Sequence, residues 1–228
     1  MKMKTRSMGL SLACFLASQC AAQSTKNPYP LEQYLMADAK EEISLARSAA
    51  PESVGRDAEI LTFTRRGFET AVKGSNGFVC LVARSWSAEY DDPDFWNPKT
   101  RVPICYDAVA ARSQVAATKK RTQVALAGGS NTQVHDAIKA AIESKELPIA
   151  EPGSMSYMLS KQTYFSEKVG HWLPHLMFFM PQVDTKRWGA GVPGSPVMGV
   201  EQPAEHLTVF LVPVSKWSDG TPGPSEAH

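Results

Sequence analysis

The fold of this chain depends most on residues 60–84, which read ILTFTRRGFETAVKGSNGFVCLVAR. Three parts of this segment, 60–64, 68–73 and 78–84, are rich in the β-branched and aromatic residues that strands favour. Asn76 and Gly77 lie between the last two parts, and both residue types adopt the positive φ angles that a tight hairpin turn requires. The segment therefore predicts a three-stranded antiparallel meander.

Helices are predicted on both sides of this meander. From Pro30 to Pro51, apolar residues recur every three or four positions, which is typical of an amphipathic helix. Asp107 is placed to cap a helix over 108–127. Ser130 and Gln133 then have the spacing of a capping box, which predicts the start of another helix.

The remaining strands are predicted at 102–106, 155–160, 176–180 and 207–214, whereas the glycine-rich segment 188–199 is predicted to be a loop. Strands and helices are thus segregated along the chain, which favours the α+β class. We expect an antiparallel sheet of about six strands with an N-terminal helix and a central pair of helices.

The predicted boundaries follow from these elements and from the composition of the two ends. They are a signal peptide at 1–22, a polar lead-in at 23–29, a single α+β domain at 30–217 and a flexible tail at 218–228. The order of helix, strands, helical insert and further strands also allows a PAS-like extracytoplasmic sensor domain as an alternative. That alternative is an analogy of element order only.

The first 22 residues have the three parts of an export signal. Lys2, Lys4 and Arg6 precede a short apolar run, and small residues at 20–22 offer a cleavage site. A lipid anchor on Cys20 is disfavoured because the preceding glutamine is bulky. The expected location of the mature chain is therefore periplasmic or secreted.

Charge and hydropathy exclude some classes of function. The full chain carries a formal charge of +1, and removal of the leader with its three cations leaves −2. A near-neutral balance argues against a nucleic-acid partner. The apolar run of the leader is too short to span a bilayer, so no transmembrane segment is expected in the mature chain.

Cys80 and Cys105 are the cysteines that remain after the leader, and both fall in predicted strands. An oxidising compartment favours a disulfide between them. A redox-active pair is the competing interpretation, but neither cysteine has the CxxC setting at a helix start that lowers a thiol pKa. Two free, buried thiols are the other alternative.

Three motifs carry a resemblance to a known family: GSNGFVC at 74–80, PICYD at 103–107 and PHLMF at 174–178. In these motifs the chain resembles a family of secreted bacterial proteins with no assigned function. The resemblance implies export and pairing of the two cysteines, and it implies no activity.

His171 and His175 are the candidate metal ligands. Histidines four residues apart share one face of a helix, as in zinc hydrolases, but Pro174 disfavours helix at the residue before it. A metal-dependent or hydrolytic enzyme that uses His171 and His175 remains an alternative. A periplasmic copper binder is a further one, because His175 and Met177 share a face in an extended segment and these side chains suit Cu(I).

The loop after residue 187 is the preferred ligand-binding candidate. Gly189 and Gly191 let backbone amides approach a ligand closely, Trp188 offers a flat apolar surface, and Ser195 lies nearby. We expect the loop from Trp188 to Gly199 and the strand from Pro174 to Met180 to form one side of a pocket. The function predicted from the sequence is binding of a small ligand or partner, with no cofactor.

A cluster of acidic residues at 91, 92 and 94 lacks the spacing of a calcium loop. It is interpreted as a solvated acidic turn.

Overall fold

The computed structural model describes residues 24–224 of the chain. The predicted signal peptide, with Cys20, lies outside the described residues. The strands are β1 Glu59–Thr64, β2 Gly67–Val72, β3 Val79–Ala83, β4 Val102–Tyr106, β5 Ser154–Met158, β6 His175–Pro181, β7 Met198–Gln202 and β8 Leu207–Pro213. The helices are α1 Ala39–Arg47, α2 Glu52–Gly55, α3 Ala108–Ala110, α4 Ala116–Leu126 and α5 Asn131–Glu143, and a π-helical turn at Ala111–Val115 joins α3 to α4.

The strands form one sheet in the order β2-β1-β3-β4-β5-β6-β8-β7. The class is α+β, as predicted, but the sheet has eight strands rather than about six, and it is mixed because β1 and β3 run parallel. The order of helix, strands, helical insert and further strands on which the PAS-like alternative rests is present. The alternative remains an analogy of element order only.

The predicted meander is wrong at its second turn. The tight hairpin lies instead at Arg65-Arg66, between β1 and β2, and β3 pairs with the other edge of β1. Four consecutive residues of β1 are buried, which is typical of a strand whose two faces are both covered by other parts of the fold. After β2 the chain therefore crosses β1. In this crossover the side-chain amide of Asn76 donates to the Val54 carbonyl (2.8 Å).

The remaining differences from prediction are local. The predicted N-terminal helix is divided into a short 3-10 turn and α1, which starts where the Asp38 side chain accepts from the Lys40 amide. Strand β7 begins in the predicted loop 188–199 and is held by its pairing with β8. The Asp107 cap and the capping box of Ser130 and Gln133 are both formed, as predicted.

Side chains on the two faces of the sheet pack into separate layers. The front face, as we call it, packs against the α3–α4 helix and contains Leu61, Leu81, Ile104, Tyr106, Met158, Phe179, Val209 and Leu211. The back face contains Ile60, Cys80, Val82 and Cys105 next to α1, and Phe178 and Phe210 farther along the sheet. The alternation of side chains along each strand assigns every strand residue to one of these faces.

Cys80 and Cys105 are joined by a disulfide, which confirms the predicted pairing. They are directly opposite each other on β3 and β4, with Cα atoms 3.9 Å apart, and both are fully buried on the back face. Within residues 24–224, no helix combines the length and the apolar character needed to cross a membrane.

The C-terminal segment begins in contact with the domain. The predicted flexible tail starts at residue 218, but the Ser218 amide donates to the Leu159 carbonyl and the Gly223 amide to the Ser215 carbonyl. Lys161 also contacts Asp219 at 2.7 Å. Residues 225–228 lie outside the part that the structure describes.

Candidate functional site

A cavity of about 640 Å³ lies between the front face of the sheet and the α3–α4 helix. This volume is within the usual range for small-molecule sites, which are about 300–1,000 Å³. Apolar side chains from four strands form its floor: Val102, Ile104, Met158, Phe179, Val209 and Leu211. Gln114, Thr118 and Arg121 line it from the helix, and its exposed lining residues, which fall within 88–93 and 168–169, mark its mouth.

His175 is a buried polar residue in the strand wall of this cavity. It is the first residue of β6, lines the cavity and is 2% exposed. Its Nδ1 lies 2.7 Å from the Leu173 carbonyl oxygen. Because a carbonyl oxygen only accepts, Nδ1 carries the proton and donates it. Its Nε2 is buried and has no hydrogen-bond partner among the described residues.

Burial lowers the pKa of His175, and the hydrogen bond to the Leu173 carbonyl opposes this effect only in part. The ring is therefore neutral at pH 7, and Nε2 presents a lone pair. A buried acceptor without a partner costs roughly 1–3 kcal/mol, and nearly all buried polar groups in proteins avoid this cost. Nε2 is thus a buried acceptor that no described residue satisfies.

Two methionines lie next to this histidine on the same face. Met158 is directly opposite His175 in the pairing of β5 with β6, and Met177 follows two residues later on β6. Both side chains line the cavity. The structure therefore brings together His175 and Met177, two of the three metal ligands predicted from the sequence, and adds Met158.

The roof of the cavity contains the π-helical turn at Ala111–Val115. Such single turns are rare, and they occur frequently at functional sites because the extra residue redirects side chains. Gln114 lies within this turn and lines the cavity. The Asp107 side chain holds the start of the helix, since it accepts from the Ala110 amide at 2.6 Å and from the Met155 amide at 3.3 Å.

Both guanidinium groups in the cavity wall are already engaged. Arg84 is fully buried, donates to Glu42 (2.9 Å) and to the Tyr34 carbonyl (2.8 Å), and lies over the Phe63 ring. Burial lowers the pKa of Arg84 to about 10, which leaves it charged at neutral pH. Arg121 is paired with Glu205. Neither guanidinium is left to bind an anion inside the cavity.

The mouth of the cavity is acidic. Glu89, Asp91, Asp92 and Asp94 line it, and none of them forms a salt bridge within residues 24–224. Lys168 lines the opposite side. The turn interpreted from sequence as merely solvated therefore belongs to the entrance of the cavity.

The predicted ligand loop lies on the opposite side of the sheet from His175. The Trp188 ring stacks on Phe210 of the back face, with centroids 4.4 Å apart and planes at 10°, and Trp188 is 43% exposed. Gly189 ends the short helical turn with a left-handed φ of 72°. The Ser195 hydroxyl accepts from the Val197 amide. The structure thus does not join Trp188, Gly189, Gly191 and Ser195 with His175 in one pocket.

The two candidate metal-binding histidines are also in different environments. His171 is exposed, and its ring lies edge-on to Tyr164 at 6.3 Å. His175 is buried in the cavity wall, where its ring contacts Trp172. In the described part of the chain, no three His, Cys, Asp or Glu side chains are grouped so that they could hold a metal ion.

Sequence reasoning missed Gln114 and the acidic mouth because these groups are distant in sequence from His175. The signal that could have found the floor is the alternation His175-x-Met177-x-Phe179, which places three side chains on one face of a strand.

No family model matches this chain, and no curated protein or solved structure matches it either.

Proposed function

We propose that this protein binds a small, largely apolar molecule in the cavity on the front face, and that the molecule donates one hydrogen bond to His175. The observation that carries the proposal is a cavity of about 640 Å³ with an apolar floor, whose lining includes His175 with a buried Nε2 that has no partner among the described residues. A donor on the ligand would satisfy this acceptor, and burial of apolar surface would supply the main favourable free energy.

A periplasmic or secreted location is part of the same proposal. The three-part leader and the disulfide between Cys80 and Cys105 support it, since disulfides persist in oxidising compartments. We also propose membership in the secreted bacterial family that the three motifs resemble. In this view the protein captures its ligand outside the cytoplasm.

Titration with N-phenyl-1-naphthylamine tests the proposal, because this neutral fluorophore is apolar and carries one N–H donor. We expect saturable binding with enhanced fluorescence. Val209→Trp places a large side chain in the cavity and should abolish binding. Val212→Trp is the matched control, since Val212 lies on the same strand but on the back face.

The folding of both variants is checked by thermal unfolding. Val209→Phe, a smaller addition, is tested if Val209→Trp fails to fold. Equal binding by the wild type and a folded Val209 variant would contradict the proposal, as would the absence of any binding by the wild type.

Binding of Cu(I) is the second candidate function. The observation that favours it is the convergence of His175, Met158 and Met177 on the cavity floor, because thioether and imidazole ligands select Cu(I). Anaerobic competition against bicinchoninate measures the affinity. Met177→Leu should weaken binding, whereas Met180→Leu, on the back face of the same strand, should not. Equal affinity of the two variants would exclude this function.

A further inference from the structure

The cavity differs in electrical character between its buried wall and its mouth. The buried wall contains the neutral His175, whose Nε2 is an acceptor without a partner among the described residues. Arg84 and Arg121, the cations of the wall, are each paired with a glutamate. A carboxylate or phosphate would therefore find no free cation inside, and Nε2 would repel its lone pairs.

The mouth adds a net negative charge to this arrangement. Four carboxylates, those of Glu89, Asp91, Asp92 and Asp94, line it, against the single ammonium of Lys168. None of these four acids is neutralised by an ion pair among residues 24–224. Three carboxylates thus remain uncompensated where a bound molecule would meet solvent.

We infer that the ligand is a cationic amphiphile: an apolar molecule with a hydrogen-bond donor for His175 and a protonated amine or quaternary ammonium at the mouth. The inference rests on the proposed function, and it names the ligand class of the same cavity. Two independent features agree on it, the unpartnered acceptor at the floor and the uncompensated carboxylates at the entrance.

The expected preference follows from Coulomb's law. At about 8 Å in water, each uncompensated carboxylate strengthens the binding of a unit cation roughly two- to threefold. Three such charges favour a cation over a neutral analogue by about tenfold, and they disfavour an anion by a similar factor. High salt screens this preference, because the Debye length falls from about 30 Å at 0.01 M to about 3 Å at 1 M.

Three matched competitors test the inference by displacing N-phenyl-1-naphthylamine at low salt. They are the amino alcohol, the diol and the hydroxy acid of one eight-carbon chain, so each has a hydroxyl for His175 and only the distal charge differs. We expect the amino alcohol to bind about tenfold more tightly than the diol, and the hydroxy acid to bind most weakly. Added salt should reduce the differences in affinity among the three competitors.

The variant Asp91→Asn/Asp92→Asn should reduce the preference for the amino alcohol about fivefold and leave binding of the diol unchanged. Both residues are exposed, so folding should be preserved. The control is Glu41→Gln/Glu52→Gln, which changes the net charge equally at exposed positions of α1 and α2 that do not line the cavity.

The outcomes are distinguishable. If the diol binds as tightly as the amino alcohol, or if the two double variants behave alike, the inference is overturned while the proposed function stands. If neither the fluorophore nor any competitor binds the wild type, both are overturned.

Discussion

Replacement of His175 by phenylalanine should separate stability from binding. The change keeps a planar ring of similar size and removes both nitrogens. It eliminates the desolvated Nε2, whose burial without a partner costs roughly 1–3 kcal/mol, and it also removes the Nδ1 hydrogen bond to Leu173, which contributes roughly 0.5–1.5 kcal/mol net. Since Leu173 is only half-buried, water can reach its carbonyl. The free energy of unfolding should therefore be unchanged or rise by up to about 2 kcal/mol.

Binding should respond in the opposite direction. Without the acceptor, a donor ligand loses one hydrogen bond worth about 0.5–1.5 kcal/mol, which corresponds to roughly two- to tenfold weaker affinity for N-phenyl-1-naphthylamine. Urea denaturation followed by tryptophan fluorescence measures the first effect, and the fluorophore titration measures the second. His171→Phe, at an exposed position, is the control for both.

The pH dependence of stability gives a third readout. Because burial lowers the pKa of His175 in the folded state, the unfolded chain binds more protons below its own pKa of about 6.5. The contribution of His175 to stability is therefore fully present above that pH. It is lost on acidification through the folded pKa, at up to about 1.4 kcal/mol per pH unit. His175→Phe should remove this part of the slope.

One result would refute this reasoning: a loss of more than about 2 kcal/mol of stability with unchanged fluorophore affinity. That result would mean that the imidazole of His175 stabilises the fold and does not contribute to ligand binding.

Three further predictions concern the scaffold. Replacing Cys80 and Cys105 together by alanine should lower the free energy of unfolding by roughly 3–4 kcal/mol on the chain-entropy model, given their separation of 25 residues, as measured by urea denaturation. Glu42→Ala should cost roughly 3–5 kcal/mol because it leaves the buried charge of Arg84 unpaired, and a cost below about 1 kcal/mol in the same assay would contradict this. Trp188→Ala should leave the affinity for N-phenyl-1-naphthylamine unchanged, since this ring stacks on the back face; a tenfold loss would favour the loop predicted from sequence instead.

Features that depend on a few neighbouring residues were predictable from the sequence. The Asp107 cap and the capping box at Ser130 need side chains to reach amides only three positions away, so their spacing alone identifies them. The side chains of His175 and Met177 share a face because alternation is a local property of any strand. The α+β class followed from such local signals.

Strand partners depended on more than local signals. Asn76 and Gly77 have the residue types of a tight turn, but the turn they make is part of a crossover. β1 pairs with β2 along one edge and with β3 along the other, and this long-range pairing outweighs the local preference for a hairpin turn. β7 similarly forms because β8 offers it a free edge, although its first two residues, Met198 and Gly199, belong to the loop predicted from sequence.

The sequence by itself determined the helix caps, the approximate positions of most strands, and the alternation that groups His175 with Met177. Only the tertiary structure decided that Trp188 lies on the other side of the sheet and that the acidic turn lies at the mouth of the cavity above His175. The physical reason is that caps and alternation arise from bonds within a few residues. A cavity, in contrast, is enclosed by segments about a hundred residues apart, whose positions depend on how whole layers pack.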